Sequence, residues 1–345
     1  MVFQQILLTV LATFHNERTI SAAYHLLRGK RSGQTIQDVG IFKIHAYFGV
    51  LPKLSRKKFD AEIDLLVSKN YIERTENGYY RLLEAGFEQA NEGVPIAFDG
   101  WHYRGNEHNY FARLSLIVQS LSHQLSGIKA FIPIEKNDSV QRWVREFLVA
   151  NHYNKGILQQ QLLEQMTESL QATTLTDVQR ECLIYRLSGY QMAGLTWQQL
   201  AFRKHMSEFD MQLYYISALH QWLNELYLNG AHYPLLAQLI QQIRVEVPLT
   251  DSAAQTARLY KEGHSIEAIS QIRRLKTSTI EDHLVEIAMN DRYFALEEFV
   301  TQSERVQVFD AIDAYDTRKL KVLRELLPHL SYFQLRLVLA RGQEV

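Results

Sequence analysis

The 345-residue chain is 46% hydrophobic and 22% charged, an ordinary globular composition able to bury more than one core across two or three domains. With 37 Lys and Arg against 38 Asp and Glu, it has no bulk basic excess, so any nucleic-acid contact has to be local rather than a matter of overall electrostatics. The single cysteine, Cys182, excludes an internal disulfide and a four-cysteine zinc site.

The opening residues MVFQQILLTVLATFHNERT lack a basic leader and a small-residue cleavage site, and no run approaches 18 apolar residues. The expectation is a cytoplasmic protein with no membrane span. Residues 3–13 predict an apolar helix and residues 17–27 a second, followed by the connecting stretch LLRGKRSGQTIQDV at 26–39. Helical signals continue to Lys69. From Tyr71 the pattern becomes YIER, the turn ENG and YYRLL, the signature of a hairpin closed by Asn77-Gly78. Helices followed by such a hairpin make a winged helix.

If Asn77 and Gly78 are the two central turn residues, Glu76 faces Tyr79, Thr75 faces Tyr80 and Arg74 faces Arg81. Two opposed arginines repel unless a phosphate lies between them. Tyr79 and Tyr80 either stack an unpaired base or pack on the domain's own core. Basic residues gather nearby: Arg28, Lys30 and Arg31 in the connecting stretch, then Lys53, Arg56, Lys57 and Lys58, with Ser55 as helix cap. Positive groups at a helix N-terminus, where backbone amides already favour an anion, suit phosphate contact.

Residues 91–105, NEGVPIAFDGWHYRG, read as a linker or draped loop. Segments 111–125, 139–150, 157–170 and 176–187 then show helical apolar spacing within a middle domain at 106–245. Its many aromatics are core residues with some excess for a protein-binding patch. Within it, residues 194–218 laid on 263–287 at a constant offset of 69 match Thr196 with Ser265, Leu200 with Ile269 and Met211 with Ile280. Residues 176–228 are in this respect similar to the region-four helix-turn-helix of sigma factors. The scattered histidines have no metal-ligand spacing, and no phosphate loop or nucleophile elbow is present. The expectation is a protein that is not an enzyme and holds no metal or cofactor.

The stretch 251–288 reads as a further helix-turn-helix. Asp251 or Ser252 caps a helix carrying Ala253, Ala257 and Tyr260, and Gly263 stops it. Ser265 caps the next, with Ile266, Ile269 and Ile272 inward, and Thr277 or Ser278 starts a third with Ile280, Leu284 and Ile287 on one face. That third helix offers acids, so phosphate positioning falls to Arg273, Arg274 and Lys276, or the unit serves protein contact. Helices at 292–308 and 311–327, ended by Pro328, and a last one capped by Ser331 complete a domain at 251–342.

Residues 1–92, with the Leu-Arg-Gly and Tyr-Phe-Gly segments inside LLRGKRSGQTIQDV and AYFGVL, the hairpin and the closing LLEAGFEQA, resemble the RQC winged-helix domain of RecQ-family DNA helicases. Residues from Asp251 onward resemble the helicase-associated helix-turn-helix of the same proteins. The combination, without a helicase core, resembles the YpbB-type family of Gram-positive bacteria, encoded beside a short RecQ-like helicase that lacks these domains. The resemblance implies a mostly α-helical protein with an RQC-like winged helix, a helical middle domain and a C-terminal helix-turn-helix domain. It implies an accessory subunit that binds duplex to single-strand junctions through its wing and docks a RecQ-like helicase lacking an RQC domain in DNA repair or recombination. A helix-turn-helix transcription regulator and a scaffold without DNA binding stay open as alternatives.

Overall fold

A computed structural model describes residues 1–92, 96–246, 249–291 and 293–342. The chain divides into two compact units: Met1–Leu7 with Val50–Pro52 and Glu92–Val245, and Leu8–Gly49 with Lys53–Asn91 and Glu246–Val345. Three consecutive domains were expected; the second unit instead combines most of the N-terminal segment with the C-terminal one. The fold is mostly α-helical, and no helix of the described residues is long and apolar enough to cross a membrane.

Helices α1 (Val2–Thr13), α2 (Ile20–Leu27), α3 (Gly33–Ile41) and α4 (Arg56–Ser68) precede a hairpin of β1 (Ile72–Arg74) and β2 (Tyr80–Leu82), then α5 (Glu84–Glu92). The second helix starts later than its pattern suggests because Glu17 and Arg18 serve other partners. Glu17 Oε1 accepts from the Thr317 hydroxyl at 2.7 Å and the Arg318 amide at 2.8 Å, and Arg18 Nε donates to Asp38 at 2.7 Å. The stretch 26–39 was expected to be a connection but contains most of α3, capped by Ser32 and burying Ile36, Val39 and Ile41. Its two glycines hide the helix from propensity.

In the first unit, α6 (Gly100–Tyr103), α7 (Glu107–Leu125), α8 (Asp138–Ala150), α9 (Leu158–Ala172), α10 (Asp177–Ile184), α11 (Trp197–Lys204), α12 (Glu208–Leu228) and α13 (Pro234–Leu239) follow. The core forms around α12, whose Trp222 is fully buried, donates to Ser169 Oγ at 2.9 Å and meets Tyr110 edge-on. Part of the expected linker at 91–105 is core as well: Trp101 and Tyr103 are buried, and Tyr103 stacks on His220 at 4.9 Å. Residues 93–95 lie outside the described residues. Beneath that stack the buried Glu107 carboxylate stands 3.6 Å from His220 and accepts from the Gly105 amide. Phe202 departs from the expected aromatic core, being 82% exposed.

In the second unit, α14 (Asp251–Lys261), α15 (Ile266–Arg273) and α16 (Thr277–Asn290) lead to α17 (Gln302–Tyr315), α18 (Leu320–Leu326) and α19 (Tyr332–Arg341). Thr250, rather than Asp251 or Ser252, caps α14 by accepting from the Ala253 amide at 3.1 Å. Gly263 follows it with φ +87°, a left-handed position that costs glycine nothing. Ile269 is buried, but Ile272 is half exposed, because steps of three residues drift around a helix of 3.6 residues per turn. The expected helices at 292–308 and 311–327 are replaced by α17 and α18. A capping box between Thr301 and Glu304 sets the start of α17, and Asp316 ends it with φ 44°. Position 292 lies outside the described residues.

The core of this unit centres on α16. Leu284, Ile287 and Ala288 pack with Phe294, Phe333 and Leu337, and α16 lies against α3, α14, α15 and α19. A Cβ added at Gly40 of α3 would stand 2.9 Å from Met289 Sδ, so this glycine lets the two helices approach closely. The offset of 69 also governs geometry. Helices α11 and α15 are each eight residues long, are capped by Thr196 and Ser265, and end at left-handed His205 and Arg274.

Candidate nucleic-acid interface

The Leu27-Arg28-Gly29 and Tyr47-Phe48-Gly49 segments meet. Gly29 and Gly49 both have left-handed backbone, the Gly49 amide donates to Leu26 O at 2.9 Å, and a Cβ on Gly29 would lie 2.8 Å from Gly49 Cα. Only two glycines allow that crossing. It fixes the end of α2, and with it Arg28.

Ser55 caps α4 as expected, accepting from the Lys58 amide at 3.2 Å. Phe59, Ile63 and Leu66 take the buried face, which turns Arg56, Lys57 and Lys58 outward. Tyr24 forms the platform beneath. Its hydroxyl donates to Leu54 O and accepts from Arg28, while the Arg56 guanidinium stands 5.3 Å and the Arg28 guanidinium 5.7 Å from its ring centroid. Arg56 also bonds Asp60 at 2.9 Å and Ser21 at 3.1 Å. His25 reports the resulting field: burial and then the charges of Lys30, Arg56 and Arg28 hold its pKa below the ordinary value. Lys30 and Lys53 are exposed, whereas Arg31 donates to Leu249 O at 2.6 Å.

The hairpin corrects the expected register. Thr75 and Tyr79 bracket a loop of three residues, 76–78, with Asn77 at φ 56° and Gly78 at φ 78°, so the strands pair Arg74 with Tyr80 and Glu73 with Arg81. The extra loop residue shifts every partner by one and replaces an Arg-Arg repulsion with a Glu73–Arg81 ion pair. Arg74 bonds Asp64 at 2.6 Å. Tyr80 does not offer a stacking face: it is 2% exposed and its hydroxyl donates to Leu11 O at 2.5 Å. Tyr79 is 40% exposed, on the outer side.

At the C-terminal helix-turn-helix, Arg273 turns inward. It donates to the Ser252 carbonyl at 2.6 Å, the Ser252 hydroxyl at 3.0 Å, Gln255 at 3.2 Å and the Thr256 hydroxyl. Those partners, rather than phosphate, occupy its donors. Arg274 and Lys276 remain exposed. The acids of α16 are likewise engaged: Asp282 with Arg336 and Gln37, Glu281 with Arg336, Glu286 with Thr250. From His283 to Ala288 the helix is buried on all sides, so only its first turn is available to a ligand.

Cys182 is buried and its thiol is pushed up to about 12 by burial and then by Glu181, a thiol without thiolate character at neutral pH. Sequence reading missed Tyr24 and His25 as parts of the basic face. The only signal for them was proximity to Arg28.

The chain matches a helix-turn-helix domain family over residues 252–339. It is 30% identical over 346 residues to Protein YpbB of Bacillus subtilis (strain 168), covering 98% of this chain and 97% of that one. No solved structure matches it.

Proposed function

Since the chain belongs to the YpbB family, and carries a helix-turn-helix domain, we propose that it is a non-catalytic, DNA-binding accessory subunit of a RecQ-like helicase. It binds forked or branched DNA through the N-terminal face of α4 and the hairpin, and works in repair or recombination in the cytoplasm. The observation that carries this reading is the outward cation cluster at the capped N-terminus of α4, with Arg28 and Arg56 stacked on Tyr24 and His25 held in their field. Cations at free backbone amides bind phosphate without reading sequence. The RQC resemblance of residues 1–92 agrees with it. Exposed Phe202, Met192, Ile132 and Leu228 of the first unit suit docking of the helicase.

A sequence-reading regulator is less well supported, because α16 buries the face with which such a helix would enter a groove. Reversing charge in Arg56→Glu, Lys57→Glu and Lys58→Glu together tests the DNA reading. Affinity for a forked duplex should fall by about a hundredfold or more, and the salt slope should flatten by about 3, near 0.9 for each phosphate no longer neutralised. Unchanged affinity and slope in a variant that melts normally would sink it. Phe202→Ser should weaken co-elution with the RecQ-like helicase of the same cells without altering DNA affinity.

A further inference from the structure

Beside the α4 face, within the second unit, lies a cleft of about 600 Å³ lined by His25, Lys30, Tyr79, Lys319 and Lys321 together with the start of α2. We propose that this cleft is a single-stranded DNA site, in which Lys30, Lys319 and Lys321 hold the phosphodiester backbone and Tyr79 stacks one unpaired base. The inference rests on the DNA-binding reading and deepens it by naming where the unpaired arm of a fork goes.

Four observations converge. The three lysines are exposed, and their ammonium groups have no hydrogen-bond or ion-pair partner among the described residues. Of the two acids of the wall, Asp38 is paired with Arg18 at 2.7 Å, and Glu17 is buried and accepts through Oε1 from the Thr317 hydroxyl and the Arg318 amide, its Oε2 having no hydrogen-bond partner among the described residues. Glu17 is thereby a positioning residue, tying the turn that carries Lys319 and Lys321 to the segment before α2. Tyr79 lines the cleft and is well exposed, next to a loop tip where a Cβ added at Gly78 would meet nothing within 4 Å. Finally, Ser21 lines the cleft and also accepts from Arg56 at 3.1 Å, so the cleft continues into the basic start of α4.

Chemically, this is the pattern of single-strand recognition: a basic groove that follows the backbone and an aromatic face that accepts any base. The C-terminal lysines sit about 290 residues from Lys30 in sequence, which is why the cluster is invisible without the fold (from Lys30 to Lys319 and Lys321).

The test uses the full chain and a fluorescein-labelled twelve-nucleotide oligo-dT. The double variant Lys319→Glu, Lys321→Glu should weaken binding at least tenfold and flatten the salt slope by about 1.4, near 0.7 for each single-strand phosphate contact. Tyr79→Ala should weaken it about five- to tenfold with the slope unchanged, as expected for lost stacking. A strand carrying 5-iododeoxyuridine should crosslink to Tyr79. Lys30→Glu provides a second charge variant should the double one melt abnormally. Wild-type affinity in these variants, or a crosslink mapping away from Tyr79, overturns the cleft while leaving the fork-binding face standing. Selective loss of duplex binding in the cleft variants also overturns it. No binding of the wild-type chain to oligo-dT or forked DNA at low salt removes both readings.

Discussion

Residues 53–58 and 273–276 are both basic runs at helix starts, and the fold treats Arg56 and Arg273 in opposite ways. In the first, Leu54, Phe59 and Ile63 take the interior, and the cations are left at the surface with partners a phosphate can displace or join. In the second, Arg273 reaches across to the start of α14 and spends its donors on Ser252, Gln255 and Thr256. A cluster of positive charge is a ligand site only where the protein has not already satisfied it. Arg74 and Arg81 are intermediate: each is paired, but at the surface, with Asp64 and Glu73.

The contrast can be broken most directly at Arg273. Arg273→Ala should destabilise the second unit by about 2–3 kcal/mol, since it removes several charged hydrogen bonds and leaves the buried Thr256 hydroxyl with His283 as its remaining partner. Its effect on the salt slope of DNA binding should be nil. Thermal melting and anisotropy titrations check both, and a large slope change with an unaltered melting temperature would reverse the assignment.

A smaller effect follows from His283, which is buried beside Arg273 and bonds Thr256 at 2.8 Å. Burial and then the Arg273 charge lower its pKa below 6.5, against the opposing pull of Asp282. Below 6.5 the unfolded chain therefore takes up a proton that the folded one refuses. The stability is fully present above pH 6.5 and declines as pH falls towards the folded value, by no more than about 1.4 kcal/mol per pH unit. His25, also lowered, contributes with the same sign. His283→Gln should flatten the curve in part, and a curve unchanged by that substitution would show that His283 does not titrate differently on folding.

The smallest effect lies in the hairpin. Arg81→Ala should cost about 0.5 kcal/mol, the worth of an exposed cross-strand pair. Glu73→Lys, which restores the repulsion implied by a two-residue turn, should cost more than that. Equal melting temperatures for Glu73→Lys and the parent would contradict the observed register.

The sequence by itself determined the local events. Ser55, Ser265 and Ser331 cap where their spacing to the next apolar run requires, Gly263 ends a helix, and the offset of 69 between two helix pairs survives in their lengths and caps. These depend on interactions within a few residues, which propensity and period capture. The tertiary structure decided everything that depended on distant partners. It made a helix of residues 33–41 by packing them on α16, and it pulled Glu17 out of α2 to hold residues 317 and 318. It sent Tyr80 into the core and left Tyr79 outside. It turned Arg273 inward and brought Lys30 together with Lys319 and Lys321 in one cleft. Burial and hydrogen-bond satisfaction are properties of the packed assembly, so no local pattern could assign a donor to carbonyl or to phosphate.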